Sequence, residues 1–168
     1  MCRLRFVLFG LTLFGASGSA LADLGETRLS LSGALNHEIS HRFEARSDVR
    51  NRIGASCMGP WPSLMLTLDS ADHPVGLKLS LRLPAKPETG EHALSLAGQN
   101  DSVRTGLQII HDGRSRTAVL KRGELSLHSV GEQYAGALEA QFMLPGESAP
   151  LSVKGEFRTS LVAGSCHS

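Results

Sequence analysis

The chain has 168 residues, with 17 basic and 16 acidic side chains, and only 5% of it is aromatic. Charges so evenly matched argue against a nucleic-acid or anionic-membrane partner, because phosphate binding needs a basic excess on one face. So few aromatics also leave little with which to stack sugars or unpaired bases.

Residues 1–22 read as a secretory signal peptide. Arg3 and Arg5 open it, residues 6–14 form an apolar run, and Ala20, Leu21 and Ala22 supply the small-residue cleavage site before Asp23. The apolar run is shorter than the roughly 20 residues of a transmembrane helix, and no later stretch approaches that length, so no membrane span is expected. Cleavage after Ala22 leaves residues 23–168 as a single domain in the periplasm or outside the cell. Loss of Arg3 and Arg5 also leaves the basic residues one short of the 16 acidic ones.

From Leu29 the dominant period is two. Leu29, Leu31, Leu35, Ile39 and Phe43 alternate with polar residues, and a bend near residues 33–36 divides the run into two strands. A helical reading also fits residues 37–53, with Asn36 as N-cap and Leu35, Ile39, Phe43, Val49 and Ile53 along one arc. Arg42, Arg46 and Arg50 fall on that same arc and count against it.

Alternating segments continue at 64–68, 77–83, 92–96, 103–109, 117–120, 125–127, 134–144 and 151–161, with Asp112-Gly113 a strong hairpin signal. The connections are too short for parallel crossovers, which makes the sheet almost wholly antiparallel. Two registers can be read directly: Leu68 opposite Leu77, and Leu144 opposite Leu151 with Phe142 opposite Val153. The expected fold is all-β, a single antiparallel sandwich or closed barrel of 8–10 short strands.

With Cys2 in the signal peptide, Cys57 and Cys166 remain as an even pair in an oxidising compartment and are expected to form a disulfide. Trp61, between Pro60 and Pro62, reads either as a cover over that bond or as a ligand-stacking or interface residue. His37 and His41 would lie one turn apart on a helix, but about 13 Å apart on a strand, too far to share an ion. They make a weak metal or cleft pair, and no metal or other cofactor is expected.

No Gly-x-Ser-x-Gly, Ser-x-x-Lys or His-Glu-x-x-His motif occurs. His111-Asp112 belongs to a hairpin tip. The functional expectation is therefore a non-enzymatic, exported binding or protein-interaction module of the cell envelope, of inhibitor, immunity or accessory type. Its contacts would lie in loops 46–61 and 86–92, with Arg46, Arg50, Arg52 and Trp61 foremost. Another envelope or secreted protein would be its partner. The alternative is a lipocalin-like carrier, with leucine-rich inward faces and small residues lining a cavity for a small apolar ligand.

Overall fold

A computed structural model describes residues 25–43, 52–58, 61–96 and 102–160. The signal-peptide segment and Cys166 lie outside these residues. Ten strands are formed: β1 (Gly25–Gly33), β2 (His37–Phe43), β3 (Arg52–Met58), β4 (Trp61–Leu68), β5 (Gly76–Arg82), β6 (Gly90–Ser95), β7 (Val103–His111), β8 (Arg114–Ser129), β9 (Gln133–Met143) and β10 (Leu151–Ser160). They make one sheet in the order β2-β1-β10-β9-β8-β6-β7-β5-β4-β3, nearly closed into a barrel, with β3 brought back against β1 and β10. All pairings are antiparallel except a short parallel contact of Leu94 and Ser95 in β6 with Val103 and Arg104 in β7.

The expected bend separates β1 from β2. Gly33 takes a φ of 98°, which glycine adopts without steric cost, and its amide donates to Asn36 Oδ1 at 3.2 Å. Asp112 and Gly113, with φ of 50° and 69°, make the two-residue hairpin between β7 and β8. The helical reading of residues 37–53 is corrected in both parts that are described, since residues 37–43 and 52–58 are strands. The ladder from Leu31↔His37 to Gly25↔Phe43 satisfies the β2 backbone, and this pairing overrides the local helical arc.

One long strand joins the two halves of the sheet. The segments at 117–120 and 125–127, expected as separate strands, are both parts of the 16-residue β8. Its start pairs with β7 and its end with β6, while β9 runs along its other side. A bulge at Lys121 lets Leu120 face Phe142 and Arg122 face Gln141. Ala118 and Leu120 are buried before the bulge, and Leu125 and Leu127 after it, so the inward side changes from even to odd positions. The extra residue is what keeps both ends of one strand facing the same core.

Leucine fills that core, from Leu29 and Leu31 through Leu64, Leu66, Leu68, Leu77, Leu79 and Leu81 to Leu138, with Phe142 fully buried. The register Leu68↔Leu77 is as expected. The last hairpin is corrected by two residues: Leu151 pairs with Phe142, Val153 with Ala140 and Phe157 with Gly136. A two-residue slip preserves which side every residue faces, so hydrophobic alternation cannot distinguish the two registers. Leu144 leaves the ladder, accepts the Glu147 amide in the turn at 3.1 Å, and stays buried.

Gly155 marks the tightest approach between strands, because a Cβ there would collide with the carbonyl oxygen of Arg28. Gly136 lies beneath the Phe157 ring, 3.3 Å from where its own Cβ would stand. Glycine at these inward positions lets the sheet curl.

Deletion of Lys121 is expected to expose either Ala118 and Leu120 or Leu125 and Leu127. Each exposed leucine forfeits about 1.5–3 kcal/mol. Urea unfolding should show a loss above about 3 kcal/mol, while Lys121→Ala, which keeps the residue count, stays within about 0.5 kcal/mol of the parent.

Candidate functional site: a basic sheet face

The two halves of the sheet differ in charge. In β3, β4, β5, β7 and residues 114–121 of β8 there are Arg52, Lys78, Arg82, Arg104, Arg114, Arg116 and Lys121, and no Asp or Glu. The rest of the sheet mixes both signs, with Glu26, Glu38, Glu91, Glu124, Glu139 and Glu156 among Arg28, Arg42, Arg122, Lys154 and Arg158. Overall charge balance therefore hides a segregation.

Alternation places four of those cations on one outer surface, because Leu64, Leu66, Leu77, Leu79, Leu107 and Ile109 between them point into the core. Register then fixes the spacing. One row reads Ser63, Arg82, Arg104, Ser95 across β4, β5, β7 and β6; another reads Arg52, Thr67, Lys78, Gln108, Thr117 across β3, β4, β5, β7 and β8. Lys78 and Arg82 are about 13 Å apart along β5, and Arg82 and Arg104 about 5 Å apart across strands. The row between them, Gly54, Met65, Ser80, Gly106, is a low floor of mostly small residues.

Two large exposed apolar residues lie along this surface. Trp61 is 45% exposed, with the Arg82 guanidinium 5.8 Å from its ring centroid. Val119 is 47% exposed one residue beyond the Leu107↔Ala118 pair. Acidic residues near these strands sit in turns, and one of them, Glu147, pairs with Arg116 at 2.6 Å. Asp69 accepts the Ala71 amide at 2.9 Å, and Asp112 lies 3.4 Å from His111 at the hairpin tip.

The pairing of Arg82 with Arg104 is informative. Like charges directly opposite in an antiparallel pair are destabilising. Folding alone gives no reason to place them there.

The residues singled out from sequence separate in space. Arg46 and Arg50 lie outside the described residues. Residues 52–58 form β3, which corrects the expectation of one continuous loop over 46–61. Arg52 and Trp61 stand at opposite ends of the β3–β4 hairpin, about 20 Å apart along the strand, and Arg52 reaches Met65 Sδ at 4.0 Å. Cys57 pairs with Pro62 in the β3–β4 ladder, and its expected disulfide partner is not among the described residues. Of the second expected loop, 86–92, only 86–89 belong to the connection 83–89 between β5 and β6, and residues 90–92 are corrected to strand β6, where His92 bonds the Glu88 carbonyl at 2.8 Å.

His37 and His41 stand on a strand, the arrangement in which they are too far apart to share an ion. The His41 ring packs on Phe43 at 4.5 Å and edge-on against His73 at 5.2 Å, linking β2 to the β4–β5 turn. Among the described residues no three His, Cys, Asp or Glu side chains form a group suited to a metal ion.

Two hollows complete the picture. A polar depression of about 320 Å³ on the mixed-charge half is lined by Glu26, Arg28, His128, Glu156 and Arg158 around Ala135 and Gly136. Glu26 lies 2.9 Å from Arg28, 3.8 Å from Arg42 and 4.0 Å from Arg158, so its arginines already have an internal counter-ion. Between the two halves of the sheet, Leu29, Ile53, Leu66, Leu79, Leu138 and Phe157 line an apolar void of about 20 Å³. Tyr134 is buried, which raises its phenol pKa despite an opposing hydrogen bond to the Gly131 backbone.

Comparison with protein families, with curated proteins and with solved structures gives no match. Among the described residues no helix is long and apolar enough to cross a membrane.

Replacing Arg104 by threonine removes a like-charge opposition and introduces a good strand former. Urea unfolding should show stability unchanged or increased by up to about 1 kcal/mol.

Proposed function

We propose that the chain is a non-enzymatic binding module of the cell envelope, exported through its N-terminal signal segment. It binds through the outer face of β4, β5 and β7. The observation that carries this reading is the set of Arg52, Lys78, Arg82 and Arg104 on strands that bear no Asp or Glu, with Trp61 exposed at its border. A patch of one sign raises the local concentration of oppositely charged partners, whatever the net charge of the molecule. The partner is accordingly anionic.

The carrier reading places its ligand between the halves of the sheet, and near-closure of the barrel is compatible with it. A void of about 20 Å³ holds roughly one water molecule, whereas small-molecule sites occupy about 300 Å³ or more. Loading would require the sheet to open beside Ile53 and Phe157. The outer face needs no such rearrangement.

The test is retention of the purified protein, without its signal segment, on a sulfonate matrix above its isoelectric point. Retention that is released by salt and abolished in a Lys78→Glu/Arg82→Glu/Arg104→Glu variant is expected, with Lys154→Glu on the other half retained nearly as well as the parent. Passage of the parent protein straight through the matrix, or equal loss in both variants, would overturn the reading.

A further inference from the structure

At one end the sheet stops in a strand edge that the fold itself does not use. We propose that β2 pairs antiparallel with β2 of a second copy of this chain, about a two-fold axis at Ser40, so that the two sheets become continuous.

The open edge follows from the strand order. β2 is a terminal strand, and among the described residues it pairs with β1 alone. The other terminal strand, β3, is brought back against β1 and β10, the second and third strands of the order, which leaves β2 beyond the closure. Successive residues of a strand turn their N–H and C=O groups to opposite sides. About half of the backbone groups of His37–Phe43 therefore point away from β1, and such a row is a template for another strand. Natural sheets blunt an exposed edge with proline, lysine or a bulge. β2 contains no proline or lysine, and its ladder with β1 runs from Leu31↔His37 to Gly25↔Phe43 without a shift of register.

The side chains of β2 select the occupant. Glu38, Ser40 and Arg42 stand exposed on its outer side, with opposite charges placed symmetrically about Ser40. In an antiparallel pair centred on Ser40, Glu38 of each copy faces Arg42 of the other with Cβ atoms about 5 Å apart, so a single axis creates two opposite-charge pairs. The same register sets His37 opposite Phe43 and Ile39 opposite His41, and it uses the whole strand. A slip of two residues breaks both charge pairs. A slip of four sets Glu38 against Glu38 or Arg42 against Arg42, which is destabilising. An odd slip sets the outer residues of one copy against the inner ones of the other.

Charges behind the edge agree with this register. Arg42 lies opposite Glu26 and 3.8 Å from its carboxylate, and Glu26 in turn lies opposite Arg158. Glu38 lies opposite Ser30, with Lys154 on the far side of that serine. Across the axis the outer row reads Arg158, Glu26, Arg42 and then Glu38, Ser30, Lys154 of the second copy, so the signs alternate through the contact. Glu38 makes no ion pair among the described residues, and the second copy supplies one. The contact lies on β2, apart from the basic face of β4, β5 and β7, and its fate leaves that reading untouched.

Sedimentation velocity of the protein without its signal segment, over a range of concentrations, tests the pairing. A reversible equilibrium between monomer and dimer is expected. Glu38→Arg opposes Arg42 of the second copy at both pairs, which turns two attractions into repulsions and should weaken the dimer roughly 30-fold. Arg42→Glu should weaken it to a similar degree. Mixed in equal amounts, these two variants regain opposite charges at both pairs and should associate within about 5-fold of the parent. Glu139→Arg, which changes the net charge as Glu38→Arg does but lies on β9, should leave the dimer within about 2-fold.

A parent that stays monomeric up to about 1 mM overturns the proposal and leaves the β2 edge to a strand of a different protein. A dimer indifferent to Glu38→Arg, or two folded variants that fail to associate when mixed, overturns it as well. Glu38→Arg removes no ion pair within the molecule, so the parent and this variant decide the outcome even if Arg42→Glu, which opposes Glu26, does not fold.

Discussion

Strand β8 has to serve two halves of one sheet, and the rest of the architecture depends on how it does so. Its first turn-proximal residues complete the ladder with β7, and its later ones receive β6, while β9 pairs with it from Val119 to Ser129. A strictly alternating strand of 16 residues that changes direction would present one of its ends to solvent the wrong way round. The unpaired residue at Lys121 resets the alternation, so Leu120 and Leu125 enter the same core from opposite parities. The sheet then curls until β3 meets β1 and β10, helped by Gly136 and Gly155 at positions where a side chain would block the approach.

Because the core takes the leucines from both halves, the outer faces are free to differ. Burial dictates nothing about which polar residues stand outside, only that they alternate with the leucines. On one half they are ion pairs such as Lys154 with Glu139 and Arg28 with Glu26. On the other they are lysine and arginine without a strand-borne acid, including Arg82 opposite Arg104.

Much of the fold was legible in the sequence. Alternation located β1, β2, β4, β5, β7, β9 and β10, Asp112-Gly113 gave its hairpin, and Leu68↔Leu77 gave a register. Strand β3 was missed because Arg52, Gly54 and Ser56 alternate with only Ile53, Ala55 and Cys57, a weak apolar signal that tertiary pairing with β4 completes. The Lys121 bulge was invisible because a parity change looks the same as a break between strands. The β9–β10 register slipped by two for the opposite reason, since parity was unaffected. The candidate face was the least legible feature. Its cations lie at 52, 78, 82 and 104, and only the strand order β7-β5-β4-β3 brings them together. A sum over composition cancels them against glutamates on the other half, whereas a count restricted to the alternating segments around Leu64, Leu79 and Leu107 would have found no acid among them.

The central claim is that binding takes place on the outer face of β4, β5 and β7, and amide-resolved NMR tests it most directly. The protein is titrated with a soluble sulfonated oligomer, and shifts are mapped onto the strands. Perturbations concentrated at Ser80, Arg82, Arg104, Gly106 and the Trp61 indole, with β1, β9 and β10 unmoved, are the predicted result. Shifts centred on the Glu26, Arg28 and Arg158 depression, or on the leucines of the interior, would contradict it.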